Sequence, residues 1–231
     1  MSLTHWAVTN SIKGILRILC RVHDDPLRLV PANGPLILVC NHINSIEVPL
    51  MYSHLQPRSI TGFAKAETWD NPLMAMLFNL WGAIPLHRGE ADVVAIKKAL
   101  EALEAGKIVV IAPEGTRSGH GRLQSAYAGV VLMALRSHAP LLPLVYYGGE
   151  KFRDNLRHLR RTDFHIAVGQ PFHLETDGVK VDRQVRQQML EEIMYQLASL
   201  MPERYRGAYA DQAKATQSFL RFNRDLIMLN G

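Results

Sequence analysis

Cysteine is scarce in this chain, which has only Cys20 and Cys40 in 231 residues. Two thiols make no disulfide framework, and the absence of any CxxC excludes a zinc ribbon or a redox motif. Cys40 lies in an apolar run and reads as a small core residue rather than a reactive thiol. The ten histidines form no HExxH, HxH or His/Cys cluster, so no metal site is expected. No run reaches the roughly 18 to 20 apolar residues that span a bilayer. The longest uncharged stretch, Asn71 to His87, is broken by Asn79, Gly82 and Pro85. The N-terminus has no basic cluster before its apolar part and carries arginines within it, so it does not read as a secretory signal. These absences point to a chain in a reducing compartment, either soluble or lying on a membrane face.

What is present is ample core material. Hydrophobic residues make up 48% and charged residues 20%, which excludes full-length disorder and fits one domain of ordinary to large size. Lys plus Arg number 26 against 21 Asp plus Glu, a net charge of +5. That excess favours an anionic partner: a phosphate-bearing substrate, a lipid surface, an acidic protein or nucleic acid. The basic residues lack interleaved aromatics beyond Phe152 and Phe164, and no helix-turn-helix or RNP-like pattern occurs, so nucleic acid is not expected.

The spacing over His5 to Val22 predicts a helix, with Lys13, Arg17 and Arg21 every fourth residue in one basic stripe. Trp6, Ile12, Ile15, Leu16, Leu19 and Val22 populate its other faces. Such a helix can anchor at a membrane interface, or pack on the body with its basic stripe in water. Short apolar runs then alternate with helical stretches. Strands are predicted at Leu36 to Cys40, Ser59 to Lys65, Ala83 to Leu86, Lys107 to Ala112, Leu141 to Tyr147 and Phe164 to Val168. Helices are predicted near 45–55, 72–81, 91–104, 126–137 and 182–200. This order predicts an α/β fold: a single domain with a mostly parallel central sheet flanked by helices, preceded by an N-terminal amphipathic helix. The expected division is a membrane-associating helix over 1–24, the α/β domain over 25–201, and a helical or loose tail over 202–231.

In such sheets ligands gather at the carboxyl ends of the strands. There the first strand runs into Asn41-His42, with Glu47 five residues on in the first turn of the next helix. That carboxylate can fold back to accept from the imidazole Nδ1–H, leaving the other nitrogen as a base for an alcohol. Alternatively, Asn44 and Glu47 fit the N-cap and N3 positions of a capping box, and Glu47 then serves only the helix. The strand at 107–112 delivers Pro113-Glu114-Gly115-Thr116-Arg117, whose guanidinium can grip a phosphate through a bidentate fork. The alternative is a solvated turn closed by a weak Glu114–Arg117 ion pair. A third strand end carries His87-Arg88.

These residues resemble the PlsC-like glycerolipid acyltransferases, the family that includes the 1-acyl-sn-glycerol-3-phosphate acyltransferases. Asn41-His42 through Glu47 is similar to the family's NHxxxxD. Gly82 to Arg88 is similar to its Gly–Ile–Arg block, preceded by Phe63-Ala64-Lys65-Ala66-Glu67. Pro113 to Arg117 matches Pro-Glu-Gly-Thr-Arg outright, and Pro140 to Leu144, centred on Pro143, is like the fourth block. The resemblance covers about residues 30 to 170.

It implies that His42 deprotonates an acceptor hydroxyl with Glu47 orienting it. The alkoxide then attacks the thioester of an acyl-CoA or an acyl carrier protein, with no metal and no cofactor beyond that co-substrate. Lys65, Arg88 and Arg117 would hold the acceptor phosphate, and Glu114, Gly115 and Thr116 would shape the turn. The implied acceptor is 1-acylglycerol-3-phosphate, giving phosphatidic acid. A different lipid or glycolipid acceptor, or a non-catalytic lipid-binding protein of the same fold, are the alternatives. The implied setting is peripheral, on the cytoplasmic face of a membrane.

Two departures from the family pattern stand out. Glu47 replaces the usual Asp, and Tyr127-Ala128-Gly129 stands where many members have a lysine. The segment with Lys151, Arg153, Arg157, Arg160 and Arg161 has helical spacing and could meet anionic lipid, coenzyme A phosphates or a carrier protein.

Overall fold

A computed structural model describes residues 3–87 and 92–222. The chain opens with α1 (Leu3–Leu19), β1 (Cys20–His23) and β2 (Leu36–Cys40), followed by α2 (Glu47–His54), β3 (Ile60–Lys65) and α3 (Pro72–Leu80). Then come β4 (Ile84–Leu86), α4 (Val93–Glu104), β5 (Ile108–Ile111), α5 (Gly129–Ser137) and β6 (Leu141–Tyr147). The remainder is α6 (Phe152–Arg157), β7 (Thr162–Val168), β8 (Phe172–Leu174), α7 (Arg183–Ser199) and β9 (Leu220–Phe222).

The strands form one sheet in the order β1-β7-β6-β2-β5-β3-β4, with β8 and β9 added beside β6. Strands β6, β2, β5, β3 and β4 run parallel to one another, whereas β7 and β8 are antiparallel to β6 and β1 runs with β7. The predicted fold class is therefore the observed one. The central strands Leu36–Cys40 and Ile108–Ile111 are buried along their whole length, as expected where helices cover both faces of a parallel sheet. One face packs Ile37, Val39, Val109 and Val145 under α4, α5 and α7. The other packs Leu38, Cys40, Val110 and Leu144 under α1 and α2. Burial pushes the Cys40 thiol far up, which keeps it an inert core group.

Local chemistry sets the element ends. The Asn71 side chain accepts from the Leu73 and Met74 N–H groups, and Pro72 stands at the first position of α3. Asp92 and Asp182 cap α4 and α7 through the N–H groups of Ala95 and Val185. At the start of β2, a Cβ on Gly34 would lie 2.3 Å from the Lys107 carbonyl oxygen, so only glycine allows that approach.

One predicted extent is corrected. The first helix stops at Leu19, and Cys20–His23 is an edge strand aligned with Thr162–His165. Arg21 thus leaves the helical stripe and faces Asp163 at 3.5 Å. The partner strand lies some 140 residues away, so the local periodicity alone could not separate strand from helix there. The segment after Pro202, expected as a helical or loose tail, holds three short 3-10 turns and β9 in its described part and packs on the domain. Tyr205, Tyr209, Phe219 and Leu220 are buried in it. Leu123 donates to the Tyr205 carbonyl and accepts from Ala208, both at 3.0 Å. Between them Gly207 has φ +50, and a Cβ there would sit 2.1 Å from the Leu123 carbonyl oxygen.

Glu192 of α7 fastens this segment. It is wholly buried and accepts from Thr216 Oγ1 at 2.7 Å and from the Ser218 and Phe219 N–H groups at 2.9 Å. Removing the carboxylate leaves the buried Phe219 N–H and the part-buried Thr216 hydroxyl and Ser218 N–H without their acceptor. Glu192→Ala is expected to cost about 3 kcal/mol or more, read as a lower urea midpoint at unchanged m-value. A loss below about 1 kcal/mol would show that the donors find other partners.

Candidate active site

The site begins where β2 ends. Asn41 is buried, and its side-chain amide bonds the Tyr146 backbone in both directions, Nδ2 to the carbonyl at 2.9 Å and Oδ1 from the N–H at 2.8 Å. The amide thus extends the β2–β6 ladder past Cys40, which is opposite Leu144, and fixes the direction in which the chain leaves the sheet. His42 follows, with its backbone N–H donating to Glu114 Oε1 at 2.9 Å. The Ser118 and Gly119 N–H groups donate to the carbonyls of His42 and Ile43, both at 2.8 Å. The turns after β2 and β5 are therefore knitted into one platform.

Glu47 opens α2 and its carboxylate folds back. Oε2 is 2.7 Å from His42 Nδ1 and accepts from the Ile43 N–H at 3.0 Å, while Oε1 accepts from the Asn44 N–H at 2.9 Å. Both sequence-based roles coexist: the side chain satisfies loop donors as in half of a capping box, and the same carboxylate holds the imidazole. The helix starts at Glu47 itself, two to three residues later than a box centred on Asn44 requires. Asn44 instead accepts from the Ile46 N–H at 2.9 Å and donates to the Gly149 carbonyl at 2.7 Å. An ionised carboxylate can only accept, so Nδ1 carries the proton and Nε2 the lone pair. Nε2 has no hydrogen-bond partner among the described residues, and the ring is 17% exposed. The longer Glu side chain reaches the imidazole at full hydrogen-bonding distance, so the replacement of Asp leaves the pairing in place.

Glu114 does not pair with Arg117. It is buried under the turn, where its oxygens take the His42 N–H and, at 2.9 Å, the Gln124 N–H. Burial raises its pKa, against the pull of these backbone donors. This frees the Arg117 guanidinium, which is exposed and has no ion pair among the described residues. Gly115 and Thr116 are exposed beside it. Gly115 has φ +66, and a Cβ there would meet the Tyr127 ring at 3.2 Å. Tyr127 thus lies over the turn where a lysine was expected from the family pattern. Its N–H donates to the Pro113 carbonyl at 2.9 Å.

The other predicted residues divide. Lys65 ends β3 at the same end of the sheet, with Nζ 2.9 Å from Glu67 Oε1 and both side chains about half exposed. His87 is an exposed rim residue whose Nδ1 is 3.2 Å from Asp92 Oδ2. The backbone N–H groups of His87 and Ala95 hold the Asp92 carboxyl below the usual range. Arg88 lies outside the described residues. Pro143 lies in the strand predicted over Leu141 to Tyr147. It is buried inside β6 opposite Val39, and its carbonyl accepts from the Gly169 N–H at 2.9 Å.

Sequence reasoning missed Asn41 and Gln124 as builders of the site. The pairing of Asn with His at a strand end was a usable signal for Asn41. Gln124 had none, because its role depends on how the turn after β5 folds back.

A largely parallel α/β sheet thus carries a histidine paired with a carboxylate at one strand end and, at the next, an arginine without an ion pair among the described residues, an arrangement chemically capable of general-base work beside an anionic group. The chain belongs to the Acyltransferase family, whose sequence profile matches residues 21–147, just over half of its length. A 1-acyl-sn-glycerol-3-phosphate acyltransferase of Limnanthes alba is 34% identical over 115 residues, 48% of this chain and 41% of that protein. A protein of the same name from Bacillus subtilis is 26% identical over 164 residues, 71% of this chain and 80% of its own. The chain thus spans under half the length of the plant relative. Among solved structures, the 1-acyl-sn-glycerophosphate acyltransferase PlsC of Thermotoga maritima shares the fold at TM-score 0.58 and 19% identity, covering 85% of this chain and 81% of that one.

Proposed function

We propose that the protein transfers a fatty acyl group from an acyl thioester, carried by coenzyme A or an acyl carrier protein, to the free hydroxyl of 1-acylglycerol-3-phosphate, forming phosphatidic acid. The observation that carries this is the 2.7 Å His42–Glu47 contact with Nε2 left open. An open imidazole nitrogen can take the hydroxyl proton as the oxygen attacks the thioester carbonyl. It then returns that proton to the departing thiolate, so the ring ends neutral. No further cofactor is needed, because the thioester supplies both the acyl group and the leaving group. Glu47 stabilises the imidazolium formed between the two proton transfers. We assign the acceptor phosphate to Arg117, which has no ion pair among the described residues, with Lys65 at the end of the neighbouring strand on the same rim. Arg88 is proposed as a further phosphate contact on the family pattern alone.

Among the described residues no helix is long and apolar enough to cross a membrane, and we infer that the lipid is met at a surface. α1 is suited to this. Thr9 and Leu16 face the body, while Leu3, Trp6, Ile15 and Ile18 are exposed. On α3, Leu73 and Met76 are exposed as well. An apolar helix face with flanking cations binds at the headgroup boundary, and we assign that boundary to the cytoplasmic side.

Purified protein given labelled acyl-CoA or acyl carrier protein is expected to convert 1-acylglycerol-3-phosphate to phosphatidic acid with at least one donor. No product with either donor would end this reading. Arg117→Lys replaces a planar fork by a point charge. It is expected to raise KM for the phosphate-bearing acceptor about tenfold while leaving a neutral monoacylglycerol unchanged. Equal effects on both acceptors would remove Arg117 from the phosphate site.

A further inference from the structure

The turn between α6 and β7 contains an arrangement that the fold does not need. Helix α6 ends in a hydrogen-bonding pattern that usually has glycine at its left-handed position: the Arg160 N–H donates back to the Asn155 carbonyl at 2.8 Å, and the Leu159 N–H to the Leu156 carbonyl at 3.1 Å. The residue in the left-handed conformation is Leu159, at φ +53. A branched apolar residue there is strained, because its Cβ crowds the following carbonyl. It also gains nothing from burial, since Leu159 is 94% exposed. Leu156 beside it is exposed too. The same segment carries Lys151, Arg153, Arg157 and Arg160, all exposed and without an ion pair among the described residues, while its Asp154 faces His158.

The position of this turn matters. It follows β6 at the carboxyl end of the sheet, the end at which β2 delivers His42, and Asn44 of that loop is bonded to Gly149 just before α6. It also abuts α1. Cys20 is opposite Thr162, so Ile18–Leu19 and Arg160–Arg161 lie side by side. Arg161 Nη2 donates to the carbonyls of Arg17 and Cys20 at 2.6 and 2.8 Å. The end of α1, where Ile15 and Ile18 are exposed, is thereby held at the same edge of the sheet as the α6–β7 turn.

We propose that the α6–β7 turn is a second bilayer contact, with Leu159 and Leu156 entering an anionic membrane among the headgroup phosphates held by Arg153, Arg157 and Arg160. The inference rests on the proposed action at a lipid surface and extends it from α1 to the rim of the site. Exposed apolar side chains with unpaired guanidiniums in the same short segment suit the boundary between phosphates and acyl chains. Docking at both elements would set the His42 end of the sheet against the membrane, where the acceptor lipid resides.

The test uses the full chain with phosphatidylcholine vesicles, with and without phosphatidylglycerol. Leu159→Gly relieves the left-handed strain, so its melting temperature is expected to stay level or rise. Its partitioning onto anionic vesicles is expected to fall about tenfold. The double variant Arg157→Glu/Arg160→Glu is expected to lose the preference for anionic over neutral vesicles. Unchanged partitioning of Leu159→Gly overturns the proposal. If Ile18→Ser weakens binding while Leu159→Gly does not, α1 alone docks and only this inference fails. If the unmodified chain binds neither vesicle, the surface reading fails with it. Loss of binding to an acidic carrier protein, with vesicle binding intact, would make the occupant a protein and overturn the bilayer assignment.

Discussion

His42→Ala is expected to lower kcat for acyl transfer by about 10²- to 10⁴-fold, the range in which a positioned general base contributes. The geometry explains why the loss should fall on kcat. The backbone of His42 is held by Glu114 and Ser118 through its own N–H and carbonyl, and neither bond involves the imidazole. The acceptor phosphate is assigned to Arg117, on the next strand end, and KM for the acceptor should change by less than about threefold. Folding should survive as well, because the ring is partly exposed and its single internal bond is to a carboxylate that retains three backbone contacts. Steady-state rates with a thioester donor and 1-acylglycerol-3-phosphate, alongside a thermal melt, check both halves. A variant that melts normally and retains more than a tenth of the rate would remove His42 from the chemistry.

Glu47→Gln carries the second large effect, on the order of 10³-fold in kcat. A carboxylate accepts with both oxygens, and Glu47 uses both, facing three donors: His42 Nδ1–H and the N–H groups of Ile43 and Asn44. An amide has one accepting oxygen. If that oxygen keeps the backbone donors, the amide NH₂ faces Nδ1 and is accommodated only by moving the imidazole proton to Nε2. The nitrogen facing the acceptor then carries a hydrogen and cannot act as a base. The fall in kcat should therefore exceed any change in acceptor KM by at least an order of magnitude. Glu47→Asp keeps the charge with a shorter reach and is expected to recover most of the lost rate if the loop can close by one methylene. Near-wild-type activity of Glu47→Gln would leave the carboxylate with its loop-capping role alone.

These two residues show how far the sequence went. The apolar runs at 36–40, 107–112 and 141–147 identify buried parallel strands, and a charged turn directly after each of the first two identifies the working end of the sheet. The five-residue spacing of His42 and Glu47 is a local relation. It could be read because helix α2 begins at the carboxylate and the reach back to Nδ1 crosses only one turn. The matched Pro-Glu-Gly-Thr-Arg block likewise places Arg117 at a strand end without knowledge of the fold.

What the sequence left open depends on partners far along the chain. Glu114 reads locally as the mate of Arg117, yet its carboxylate goes under the turn to the His42 N–H, 72 residues away. That leaves the arginine available for an anion. Asn41 completes the β2–β6 ladder with Tyr146, 105 residues on. Strands β1, β8 and β9 are short and gain their identity from pairing, and the segment after Pro202 is ordered by Glu192 and by Leu123. Hydrophobic period and capping chemistry are set within a few residues and can be read from one segment at a time. The choice of partner for a buried polar group is decided only when distant segments are brought together and water is excluded between them.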